Sequence, residues 1–176
     1  SGPYITAGVL VAKNPETGEN NVSIHRLQVT DNNHLGILML PRHLMHYQRI
    51  AEKNNQPLEI AIAIGLDPIV MLASQALTPL GQDEFNIASA LYGEAMELVK
   101  CETVDLEVPA HAEIILEGVI LPNRRQLEGP FGEYPKYYGH RAEREVIELT
   151  CMTTRKIPIF QTIVPATDEH LLLGAI

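Results

Sequence analysis

The chain has 176 residues, 45% of them hydrophobic and 20% charged, with two cysteines and a formal net charge of −9. That length suits a single domain over 1–176, with a core large enough to fold without disulfides or structural metal. The acidic balance and the absence of any basic block exclude nucleic acid and anionic membrane as general partners, while leaving room for a local basic pocket.

An apolar run over 5–12 ends in the turn-rich segment Asn14-Pro15-Glu16-Thr17-Gly18-Glu19-Asn20-Asn21. Runs over 22–30 and 35–40 follow, separated by Asp31-Asn32-Asn33, so the chain opens as antiparallel hairpins. Pro41 opens a predicted helix with Leu44, Tyr47 and Ala51 on one face, ended by Asn54-Asn55-Gln56-Pro57. Residues 60–64 are apolar without alternation, which predicts a strand buried on both faces. Asp67 caps a helix that starts at Pro68 and reaches about residue 77, and another helix covers 83–92. Strands are predicted over 98–108, 113–120, 146–153 and 159–164. The longest irregular segment, rich in Gly and Pro, covers 121–141, and a helix begins at Asp168 and runs to the last residue, 176.

The most apolar stretch, 60–77, is interrupted by Asp67-Pro68 and falls short of a membrane span. Ser1-Gly2-Pro3-Tyr4 lacks the charged-then-apolar pattern of a secretory signal. Cys101 and Cys151 are too few for a disulfide framework, and the combination predicts a cytoplasmic protein in a reducing compartment.

Chemistry concentrates in a few places. In Glu128-Gly129-Pro130-Phe131-Gly132-Glu133 a tight turn separates two carboxylates, and neighbouring carboxylates push one of the pair toward holding a proton. Such a pair suits general-acid work if a fixed cation holds the other as carboxylate; a surface loop with two solvated glutamates fits the spacing equally well. Asn21-Val22-Ser23-Ile24-His25-Arg26 offers an arginine for that cation or for a substrate carboxylate. Positions 21 and 26 of a regular strand face opposite sides, so both serve one site only if the strand is irregular or lies edge-on to it. His43 and His46 are weak evidence for a metal, and packed or solvated histidines are the commoner case. No zinc spacing and no Gly-rich phosphate loop occurs, which removes support for zinc, nucleotide hydrolysis and dinucleotide binding.

Taken in order, Asn21-x-Ser23-Ile24-x-Arg26, Pro41-Arg42-His43, Glu97-Leu98-Val99-Lys100-Cys101, Val108-Pro109-Ala110, Glu113-Ile114-Ile115-Leu116-Glu117-Gly118 and the glutamate loop resemble the UbiD family of decarboxylases, which use prenylated FMN. The resemblance implies an α+β fold, a mostly antiparallel split β-barrel (flavin-reductase-like) with a few flanking helices, forming the central cofactor-binding domain of a longer chain. It implies Arg26, Glu128 and Glu133 as catalytic residues, with Glu133 as the proton donor. It further implies that Asn21, His43 and Glu84 hold a divalent ion, Mn2+ or Mg2+. Asn21, Ser23, Ile24, His25, Arg26, Arg42, His43, Ser74 and Glu84 would surround the cofactor, with a K+ ion near Ala73-Ser74-Gln75-Ala76. The implied reaction is reversible, non-oxidative decarboxylation of an aromatic or α,β-unsaturated acid, supported by a flavin prenyltransferase as cofactor supplier and by homo-oligomerisation of the full-length protein. Two other readings stand beside it: a flavin-binding module without decarboxylase activity as an isolated domain, and a structural domain binding neither flavin nor metal.

Overall fold

A computed structural model of the chain describes residues 2–173. The predicted hairpins form: β1 (Tyr4–Lys13), β2 (Asn20–Val29) and β3 (His34–Ile37) lead into α1 (His43–Lys53) and β4 (Leu58–Ile64). Two short helices follow, α2 (Pro68–Ala73) and α3 (Glu84–Tyr92), then the small hairpin β5 (Leu98–Lys100) and β6 (Glu107–Pro109). The long strands β7 (Ile114–Glu128) and β8 (Ala142–Thr154) precede α4 (Asp168–Leu173). Six strands close into an antiparallel barrel in the order β1-β2-β3-β8-β7-β4, with β5-β6 as a separate two-stranded sheet.

The alternation of side chains across the barrel wall explains why β4 is apolar throughout. Ile60, Ile62 and Ile64 pack in the barrel interior with Leu10, Leu27, Ile120 and Ile147. Ala61 and Ala63 face outward, under Val70 of α2, Phe85 of α3 and Val108 of β6. Leu44, Tyr47 and Ala51 of α1 join the interior cluster, as their helical spacing predicts. Asp67 accepts a hydrogen bond from the Ile69 N–H at 2.8 Å and Asp83 accepts one from the Phe85 N–H at 2.9 Å, so each caps its helix.

Several boundaries differ from the sequence expectation. The strand expected over 98–108 is two short strands, because Glu117 inside β7 draws the Glu102 and Thr103 N–H groups away at 2.9 and 2.6 Å and bends the chain between them. No strand occurs over 159–164; that segment hangs on β1 through Thr6, whose hydroxyl donates to the Ile163 carbonyl at 2.7 Å. The irregular segment expected over 121–141 is shorter, since β7 runs to Glu128 and pairs with β8 from Arg125 onward. α2 stops at Ala73 and α1 begins at His43, two residues after Pro41. The final helix is present over Asp168–Leu173, and the rest of its expected range lies outside the described residues.

Candidate active site

β2 holds the site because one of its edges is half free. It pairs with β1 from Asn20 to Gln28 but with β3 only over Leu27–Val29. From Asn20 to Arg26 the barrel is therefore split along this edge, leaving backbone donors without a strand partner. Directly opposed residues share a face. Asn21 and Ser23 oppose Ala12 and Leu10 of the interior, whereas Val22 and Ile24 oppose Val11 and Val9 of the outer layer. Asn21 and Arg26 thus do face opposite sides, yet both line one cavity, because the strand presents its open edge to it. The conflict raised by strand alternation is resolved by edge-on geometry.

At one pole of this cavity Arg26 gathers two carboxylates. Its Nε and Nη2 donate to Glu128 at 3.1 and 2.9 Å, and its Nη1 donates to Glu133. Glu128 ends β7, is 0% exposed, and also accepts from the Tyr4 hydroxyl at 3.1 Å. Burial, followed by the adjacent carboxylate, pushes the Tyr4 phenol up to about 12, so this hydroxyl remains a donor. The guanidinium lies 5.0 Å above the Phe131 ring, a cation–π contact that fixes its plane. The turn that brings Glu133 back depends on Gly129 at φ +97°, a conformation open to glycine. Beyond it Gly139 N–H to Phe131 O and Glu133 N–H to Tyr137 O, both 2.8 Å, tie the loop to itself.

At the other pole lies Glu84, the first residue of α3 and 3% exposed. Its carboxylate accepts from the Val22 N–H at 2.7 Å, the Thr78 hydroxyl at 2.9 Å and Asn21 Nδ2 at 3.4 Å. All three donors are neutral; among the described residues no Lys, Arg or His pairs with it. A buried carboxylate without a cation is costly, and this one fits a metal ion. His43 lines the same cavity, and an amide oxygen, an imidazole and a carboxylate form a donor set suited to Mn2+ or Mg2+. Among the described residues no group of three His, Cys, Asp or Glu converges for a metal; the expected set supplies two such residues and an amide.

The cavity has a volume of about 1190 Å³. That exceeds the ~300–1,000 Å³ of most small-molecule sites and leaves space for a cofactor and a substrate together. Arg26, Arg42 and Arg49 line it, against Glu84 and Glu133, so an acidic protein carries a basic hollow. Ser23, Ile24, His25, Arg42, His43 and Ser74 all reach this wall. Glu128 does not; it stands behind Arg26. His25 donates through Nδ1 to the Leu38 carbonyl at 3.1 Å and accepts from Ser23 at 2.9 Å. Burial holds the imidazole down to about 4, against the opposing pull of that carbonyl, so it is neutral. Sequence reasoning missed Tyr4, Thr78, Phe131 as a guanidinium platform, and His170, which lines the cavity with its ring 6.3 Å from that of Phe131. Only the position of Tyr4, at the head of a strand paired with the one that carries Arg26, was a signal.

The family described as the 3-octaprenyl-4-hydroxybenzoate carboxy-lyase Rift-related domain, UbiD, matches residues 1–168. The chain belongs to the UbiD family. It is 46% identical over 98% of its length to the anhydromevalonate phosphate decarboxylase of Methanothermobacter thermautotrophicus, covering 40% of that protein. It is 35% identical over its whole length to the gallate decarboxylase of Lactiplantibacillus plantarum, covering 39%. The UbiD-class enzyme HmfF of Pelotomaculum thermopropionicum, solved in complex with prFMN, superposes with a TM-score of 0.97 at 62% identity, over 99% of this chain and 41% of that one. The expected split-barrel class therefore holds for this UbiD domain, and the chain spans about two fifths of the length of the curated relatives it matches.

Proposed function

We propose that this UbiD chain is the cofactor-binding part of a decarboxylase that acts on an aromatic or α,β-unsaturated carboxylic acid with prenylated FMN and a divalent metal ion. The observation that carries this reading is Arg26 bridging two glutamates on the wall of a cavity whose far pole holds a buried, uncompensated carboxylate. Asn21, His43 and Glu84 would hold Mn2+ or Mg2+ there, drawing in the cofactor phosphate. Ser23, Ile24, His25, Arg42 and Ser74 would line the flavin. K+ near Ser74 rests on the family resemblance alone, since the Ser74 hydroxyl is engaged by its own helix, donating to the Met71 carbonyl at 2.7 Å. The cofactor supplies the electron sink that loss of carbon dioxide from an sp2 carbon needs and that no side chain can provide.

Each residue then has a task that its geometry suits. Arg26 receives the substrate carboxylate through the Nη1 edge, where it now holds Glu133, so substrate displaces Glu133 from that contact and requires it to be protonated. Glu128, charge-paired with Arg26 and closed to solvent, stays a carboxylate and keeps the guanidinium plane fixed. When the bond from the ring or alkene carbon to the carboxyl carbon breaks, carbon dioxide leaves and Glu133 gives its proton to the carbon left behind. Its side chain is 32% exposed, so water can reprotonate it.

The test is full-length protein co-produced with a flavin prenyltransferase and offered a panel of aromatic and α,β-unsaturated acids. Carbon dioxide release, abolished in Glu133→Gln with cofactor absorbance retained, is the expected result. A loaded protein that decarboxylates none of the panel contradicts it. Because the chain spans about two fifths of its relatives, the isolated 176-residue domain could bind flavin without turnover; uptake with no carbon dioxide release assigns the domain alone to the flavin-binding role. Homo-oligomers of the full-length protein would show as a multiple of the chain mass in light scattering.

A further inference from the structure

We propose that Tyr4 is a positioning residue of the acidic cluster: its hydroxyl fixes Glu128, and so leaves Glu133 as the one carboxyl group able to move a proton. For its effect on turnover the proposal rests on the decarboxylase reading; its geometry stands alone.

Tyr4 opens β1 directly opposite Gln28 of β2. These two neighbours pin two consecutive residues where β7 gives way to the loop. Tyr4 donates to Glu128 at 3.1 Å, and the Gly129 N–H donates to Gln28 Oε1 at 3.0 Å. Glu128 consequently accepts three hydrogen bonds, one from Tyr4 and two from Arg26, with no exposure to water. A carboxylate so engaged cannot rotate without breaking one of them, and the lone pair left on Oε2 is closed to water. Among the described residues the Glu133 carboxylate accepts from Arg26 alone, and it is partly open to the cavity. The two glutamates already differ in burial and in their bonds to Arg26, and the tyrosine completes that asymmetry by engaging Glu128 alone. Its ring, 4.7 Å from that of Phe131, fills a space that phenylalanine would fill as well, so the hydroxyl is the informative atom.

Tyr4→Phe in the full-length, cofactor-loaded protein removes that atom and keeps the ring. Loss of one charge-assisted hydrogen bond predicts roughly a tenfold fall in kcat with KM for the acid held within about twofold, since Arg26 keeps both bonds to Glu128. Unchanged kcat, or a rise in KM alone, overturns the proposal. So does unfolding of Tyr4→Phe, which would assign the hydroxyl to stability. A second readout needs no cofactor: proton exchange of the Arg26 Nε–H, followed by NMR, should quicken several-fold in Tyr4→Phe as Glu128 loosens, and unchanged exchange contradicts it. Wild-type protein that releases no carbon dioxide sinks the decarboxylase reading while leaving this exchange measurement to decide the role of Tyr4.

Discussion

Arg26 and Glu128 lie 102 positions apart and meet through two parallel hydrogen bonds, of 3.1 and 2.9 Å, at the seam between β2 and the end of β7. The seam is closed to water on the Glu128 side. Removing the arginine strands a buried charge, so Arg26→Ala is expected to lose about 3–5 kcal/mol in urea unfolding. The double variant Arg26→Met with Glu128→Leu should recover most of that loss, because apolar replacements leave no charge unpaired. Equal stabilities of the single variant and the wild type would contradict the pairing.

Glu133 differs in kind. It is partly exposed and holds one contact to Arg26, so Glu133→Gln should change unfolding free energy by less than about 1 kcal/mol. Turnover in the loaded full-length protein should nevertheless fall by roughly 10²–10⁴-fold, the usual worth of a positioned acid. A large loss of stability with activity retained would reverse the roles assigned to the two glutamates.

The long strand β7 carries a register shift between Glu117 and Gly118, and the geometry there demands glycine. A Cβ on Gly118 would stand 2.2 Å from the Glu148 carbonyl oxygen, which is backbone and cannot swing aside. Gly118→Ala should therefore cost about 3 kcal/mol or more and unseat the strand that ends in Glu128. A thermal midpoint equal to wild type would contradict this close approach of the two strands.

How much of this was legible in the chain depends on distance in sequence. The unbroken apolar run of residues 60–64, the Asp67 and Asp83 caps and the Leu44–Tyr47–Ala51 face are local signals, and each produced its element. The bend within 98–108 was not local: Glu117, a buried carboxylate some fifteen residues later, captures the N–H groups that a strand would have used. The extension of β7 to Glu128 likewise depends on pairing with β8, which overrides the Gly and Pro content that suggested a loop over 121–141. At the site, the motifs named Arg26, Glu128 and Glu133, which the fold brings together. Edge-on exposure of β2 could be named from the sequence only as one of two conditions, because it follows from the shortness of β3, whose pairing stops at Leu27.

Two groups, the half-buried His25 and the buried Glu117, make the cofactor-free protein acid-sensitive. Burial lowers His25 from its ordinary 6.5 to about 4, so between those values the unfolded chain binds a proton that the folded one refuses. Its contribution is full above pH 6.5 and declines as pH falls toward 4. Burial alone would raise Glu117, but hydrogen bonds from Glu102, Thr103 and Val104 outweigh it and hold the carboxyl below 4.5. That contribution is present above 4.5 and disappears as pH falls through the lower folded value. Unfolding free energy should decline steadily from pH 7 to 4, and His25→Gln should flatten the upper part of the slope. Stability that rises on acidification would contradict both assignments.

The most direct measurement is a native mass spectrum of the full-length protein co-produced with a flavin prenyltransferase. The predicted spectrum shows each polypeptide carrying one prenylated FMN and one divalent metal ion, with the metal lost in Glu84→Gln. Bare polypeptide, under conditions that load a known UbiD enzyme prepared alongside it, would contradict the assignment of this cavity to the flavin.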